Sequence, residues 1–127
     1  MFAAAVNTQR LRTYDKLLKA KAVVYAGDHD VFGDGTVILK STPGHTPGHQ
    51  SLYIQLHKTG GVVLSGDLYH YAEERTLNRM PEEEKARGTP EARAAMESFI
   101  KQTRSQLWIG HSIQFFSQAR KAPDFYE

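Results

Sequence analysis

The densest chemistry in this sequence lies in Thr42-Pro43-Gly44-His45-Thr46-Pro47-Gly48-His49. His45 and His49 have the four-residue spacing that metal-binding helices use, but two Pro-Gly pairs exclude a regular helix, so the histidines sit on a loop. A loop at a strand end can aim an imidazole across the rim of a sheet, with glycines letting the backbone fold tightly behind it. A turn with hydrogen-bonding histidines accounts for the same residues. Asp67 closes Ser65-Gly66-Asp67 at the end of the most apolar stretch, where a carboxylate is costly unless exposed or paired with a cation. A strand-end aspartate capping its turn is the alternative. His111 also follows an apolar stretch and a glycine. Neighbouring strands of one sheet could bring His45, Asp67 and His111 together, and three such ligands suit Zn²⁺ in a catalytic setting with a water in an open position.

The elements that must position these residues are legible as patterns. Leu11, Tyr14, Leu17 and Leu18 recur at helical spacing between Asn7 and Ala20, predicting an amphipathic helix. Val23-Val24-Tyr25 reads as a short strand, and the segment from Gly27 to Gly35 carries turn chemistry, with Asp34-Gly35 a tight turn. Strands are expected over Thr36 to Lys40 and Ser51 to Leu56, the second turning through Lys58-Thr59-Gly60-Gly61 into Val62-Val63-Leu64 as a hairpin. The nearly continuous apolar character of that last strand places it centrally in a covered sheet. A polar stretch follows Asp67 as far as Gly88 and reads as a functional loop or a surface excursion. Thr89 as cap and Pro90 in the first turn then open a helix whose core face is Ala92, Ala95, Met96, Phe99 and Ile100. Leu107-Trp108-Ile109 is a last short strand before Gly110-His111.

With 127 residues, 40% of them hydrophobic and 24% charged, the chain has the balance of one small globular domain. Its zero cysteines exclude disulfides, thiolate ligands and a cysteine nucleophile, and they fit a reducing compartment, so we expect a cytoplasmic protein. The longest apolar runs fall far short of the ~20 residues of a membrane span, and the N-terminal stretch lacks a basic leader, so neither a membrane partner nor secretion is expected. Net charge is +2, and basic residues are scattered among acids, as in Glu82-Glu83-Glu84-Lys85-Ala86-Arg87. Such a run reads as a solvated face, and no basic stripe interleaved with aromatics points to nucleic acid.

Pro43-Gly44-His45-Thr46-Pro47-Gly48-His49, Ser65-Gly66-Asp67 and Ile109-Gly110-His111 resemble, in order and spacing, the later motifs of the metallo-β-lactamase fold superfamily. The likeness is strongest to its N-acyl homoserine lactonase-like members, which have a similar run around Gly27 to Gly35, and it covers the chain from about Lys21 onward. The resemblance implies an α/β (α+β) fold: the C-terminal αββα half, residues 1–127 as one partial domain, with a mostly antiparallel sheet flanked by helices. It implies His45 as ligand of a first zinc, Asp67 as the carboxylate bridging two, His111 as ligand of the second, and His49 as a support of the loop that does not ligate. Relatives place a tyrosine three positions after the bridging aspartate, in contact with the substrate carbonyl. Here His70 stands there between Tyr69 and Tyr71, so Asp67 and His70 are the expected catalytic residues and Tyr69 and Tyr71 the expected substrate contacts. The family's His-x-His-x-Asp-His motif is absent, and Ser112 follows the last ligand where many members have aspartate.

The function so implied is zinc-dependent hydrolysis of a small-molecule ester or lactone by a metal-activated hydroxide. The alternative is a non-catalytic remnant that binds metal weakly or acts through protein contacts. A lone half would also expose one sheet face, favouring a homodimer or a complementing half.

Overall fold

A computed structural model describes Lys16 and residues 19–127. The helix expected over residues 7–20 falls almost entirely outside them. One five-stranded sheet runs in the order β1 (His29–Asp30), β2 (Val37–Ser41), β3 (Gln50–Leu56), β4 (Gly60–Leu64), β5 (Gln106–Trp108). Neighbours from β1 to β4 are antiparallel, while β5 lies parallel to β4. A parallel neighbour needs a crossover, and the chain makes it through a 3₁₀ turn (Gly66–Leu68) and the helices α1 (Ala72–Thr76), α2 (Glu82–Lys85) and α3 (Thr89–Thr103). A short α4 (Ile113–Gln118) follows β5. The mostly antiparallel sheet flanked by helices is the architecture the motifs imply.

Register explains the core. Ile38 pairs with Tyr53, Tyr53 with Val63, and Val63 with Leu107, so one row crosses four strands and points to one face. That face clusters with Ala92, Met96 and Ile100 of α3 and with Leu68, Tyr69 and Ile109. Val62 and Val63 are almost fully buried, in keeping with a covered inner position of β4.

Three local expectations are corrected. Val23-Val24-Tyr25 forms no strand: Val24 is 85% exposed, and β propensity without a neighbouring strand leaves the backbone unpaired. The edge strand is instead the two residues His29–Asp30, and the loop after it is held by the Asp30 carboxylate, which accepts from the Gly33 and Gly35 amides at 2.9 and 2.7 Å. Thr89 is not the cap of its helix. Gly88 occupies that position in a left-handed conformation, and the Thr89 hydroxyl is buried and donates to Glu84. On α3, Ala95 faces solvent, and the residue buried in its stead is Arg93. Arg93 tolerates burial because each of its three guanidinium nitrogens donates, to the Leu68 carbonyl at 2.9 Å, to the Arg79 carbonyl and to Glu74, and the group lies over the Tyr69 ring. The stretch between Asp67 and Gly88 also contains α1 and α2, where we expected irregular chain.

Candidate metal centre

Strand direction decides where the chemistry gathers. β2 and β4 are each antiparallel to β3, and β5 is parallel to β4, so β2, β4 and β5 end at one edge of the sheet. His45 follows β2, Asp67 follows β4 and His111 follows β5, and the three meet there.

The loop carrying His45 and His49 is closed by backbone hydrogen bonds from Thr42 to His49 and from Gly44 and His49 to the Thr46 carbonyl. Gly44 has φ +149°, and a Cβ on it would stand 2.8 Å from the backbone of Thr89, so glycine lets the start of α3 press against the loop. His49 has both ring nitrogens committed. Its Nε2 accepts the Asp67 backbone N–H at 2.9 Å, so Nδ1 carries the proton and donates to the Thr42 carbonyl at 3.0 Å. No lone pair remains for a metal. His49 thereby ties the first loop to the backbone of Asp67.

Asp67 divides its two oxygens between two imidazoles. Oδ1 lies 2.8 Å from His111 Nε2, and Oδ2 lies 3.5 Å from His45 Nε2. The hydrogen bond from His111 holds the Asp67 carboxyl below its ordinary value; partial burial opposes this and the field of His45 adds to it. His45 Nδ1 is 3.0 Å from Glu84 Oε1. An ionised carboxylate only accepts, and Glu84 is the closer of the two carboxylates at this ring, so in the neutral imidazole Nδ1 donates to it and Nε2 presents a lone pair toward Asp67 Oδ2. Two acceptors facing one another call for a proton or a metal ion between them.

His70 completes the group, its ring 5.4 Å from that of His45 and 5.6 Å from that of His111. Tyr71 is exposed, with its ring 6.3 Å from His70. Tyr69, expected at the substrate, is instead a core residue at 2% exposure: burial and the hydrogen bond to Glu97 push its hydroxyl well above the ordinary tyrosine range. Ser112 caps α4, its hydroxyl accepting from the Phe115 amide at 3.2 Å.

The donor set fits divalent metal in kind, and one of its two pairs fits in spacing. Metal–nitrogen and metal–oxygen bonds of about 2.1 Å at a tetrahedral angle put the two donors about 3.4 Å apart. The His45–Asp67 separation of 3.5 Å matches this, whereas the 2.8 Å between His111 and Asp67 is that of a direct hydrogen bond. Among the described residues no three His, Cys, Asp or Glu side chains converge on one ion position. The arrangement is two donor pairs sharing one carboxylate.

Sequence reasoning missed Glu84 and Glu74. Glu84 lay inside a charge run read as a solvated face, yet it is 5% exposed; its partner is 39 residues away in sequence. Glu74 sits in the stretch read as loop, and it accepts from the His70 amide at 3.2 Å.

No family model matches the chain. The chain is 31% identical over 106 residues to the N-acyl homoserine lactonase AttM of Rhizobium radiobacter, which covers 77% of the chain and 38% of the relative. It is 30% identical over 106 residues to the N-acyl homoserine lactonase AiiA of Bacillus thuringiensis subsp. kurstaki, covering 80% and 40% respectively. Among solved structures it superposes on an N-acyl homoserine lactone hydrolase with the product N-hexanoyl-L-homoserine bound at the catalytic metal centre, with a TM-score of 0.70, 27% identity, and coverage of 81% of this chain and 40% of that one. Over the part it spans, the chain is homologous to N-acyl homoserine lactonases in sequence and matches them in fold. It spans about two fifths of the length of these lactonases.

Proposed function

We propose that this chain carries part of the metal centre of a zinc-dependent lactonase-like hydrolase acting on a small-molecule ester or lactone. The carrying observation is Asp67, whose two oxygens face one imidazole each, from His45 and His111, at the edge where three strands end. The likeness to a hydrolase with its product at a catalytic metal centre supports the same use of that edge. Bound there, a divalent ion would polarise the substrate carbonyl and make water acidic enough to attack it at neutral pH. His45 and His111 would hold the ions and Asp67 would share them, while His49 fixes the backbone of Asp67. His70, whose ring lies 5.4 Å from that of His45 and 5.6 Å from that of His111, would accept a proton at the substrate, with Tyr71 beside it.

Each donor pair needs further ligands, and a second copy or a complementing half is the source we propose for them. A second reading, metal binding without turnover, is favoured by the two-donor limit among the described residues.

Zinc content after dialysis and hydrolysis of N-hexanoyl-homoserine lactone test the proposal. We expect stoichiometric zinc that is lost in both His45→Ala and Asp67→Asn, and turnover lost with it. Unchanged zinc in both variants overturns the ligand roles, and bound zinc without turnover selects the second reading.

A further inference from the structure

Two of the clustered imidazoles are each held by a glutamate, and both glutamates are anchored by the same helix. His45 Nδ1 lies 3.0 Å from Glu84 Oε1, and the other oxygen of Glu84 accepts the Thr89 hydroxyl at 3.3 Å. His70 Nδ1 lies 3.3 Å from Glu74 Oε1, and the other oxygen of Glu74 accepts from Arg93 at 2.7 Å and from the His70 amide. Thr89 and Arg93 are four residues apart on α3, so they share one face. They are 1% and 4% exposed, which makes them two polar residues buried side by side on a helix whose remaining inward positions are apolar. Burying a guanidinium is costly without pairing, and the other two nitrogens of Arg93 donate to the carbonyls of Leu68 and Arg79, at either end of the segment that bears His70 and Glu74.

We propose that this face of α3 sets the tautomers of His45 and His70, with Glu84 and Glu74 as the positioning residues. A carboxylate can only accept, so each glutamate keeps the proton on Nδ1 and leaves Nε2 with its lone pair. That is the form in which an imidazole binds metal, and a carboxylate on its far nitrogen strengthens it as a donor. For His45 the free Nε2 is the atom that faces Asp67. His70 is thereby prepared in the same state as His45, which makes it a donor to metal or an acceptor for a substrate proton. The role for catalysis rests on the metal-centre reading above; the tautomers do not.

The test reads the ring nitrogens of the metal-free chain by two-bond ¹H–¹⁵N NMR at a pH where the histidines are neutral. Both His45 and His70 are expected as Nδ1–H, and either one found as Nε2–H overturns the proposal. Glutamine offers Nδ1 an oxygen or an N–H equally well, so Glu84→Gln should turn His45 alone into a mixture, and Glu74→Gln should do so for His70 alone. Glu84→Gln should also weaken zinc binding roughly 10–100-fold without a matching loss of thermal stability. Tautomers unmoved by these variants, or zinc affinity indifferent to Glu84→Gln, sink the idea. The wild-type spectrum decides even if a variant fails to fold, and a chain that binds no zinc would sink the metal-centre reading while leaving the tautomer result standing.

Discussion

Asp67 is the residue on which most of the chemistry converges, and its protonation has a defined consequence. Its carboxyl is held below its ordinary value, chiefly by the hydrogen bond from His111, so the folded chain binds that proton less readily than the unfolded one. The stabilisation is therefore fully present above the unfolded value of 3.8 and is lost as pH falls through the lower folded value. Because the side chain is partly exposed, solvent screens the effect and it is modest. Urea denaturation of wild type and Asp67→Asn between pH 6 and pH 2 checks this: the variant should lose less stability across the acid limb. Equal slopes would mean that the His111 contact contributes nothing in solution. His45, Asp67 and His111 were legible in the sequence as side chains just past apolar stretches. That His49 supports the loop without ligating was implied by the resemblance, but the atom it holds was not, because which nitrogen of an imidazole is occupied depends on atoms brought from elsewhere, here the amide of Asp67.

At the scale of elements, the loop of β2 and the start of α3 are fitted to each other. Gly44 has φ +149°, which side-chain-bearing residues rarely adopt, and no room for a Cβ beside the Thr89 backbone. Gly44→Ala should therefore lower stability by about 1–3 kcal/mol through overpacking and should also disturb the Glu84–His45 contact that the same junction supports. Thermal denaturation and zinc affinity read the two effects; an unchanged melting temperature would show that the junction is loose. The hairpin of β3 and β4, the last strand and the long helix were readable because apolar periodicity and turn residues agree over each of them. The reading failed at Val23-Val24-Tyr25, where apolar residues have no strand to pair with, and at Arg93, whose burial depends on Glu74 and on two carbonyls distant in sequence. Periodicity reports which face turns inward. It does not report whether a charged group on that face will find partners.

For the molecule as a whole, a ligand that binds only the folded state must stabilise it. If zinc binds the folded chain as proposed, then at about 100 times its dissociation constant it adds about 2.7 kcal/mol. We expect the melting temperature to rise with added zinc, to return when a chelator is added, and to stay flat in Asp67→Asn; a rise of equal size in that variant would move the binding site away from this edge. No helix among the described residues is long and apolar enough to cross a membrane. The sequence by itself determined which residue types were available, that these residues offer no thiolate, which stretches pair as strands, and the ordered motifs that carry the likeness to the lactonases. Tertiary structure alone decided that the ends of β2, β4 and β5 share an edge, that one glutamate of three in a charge run is buried against a histidine, and that Tyr69 belongs to the core. The physical reason is the range of the forces involved: propensity, turns and periodicity act between neighbours in the chain, whereas burial and hydrogen bonding act between neighbours in space.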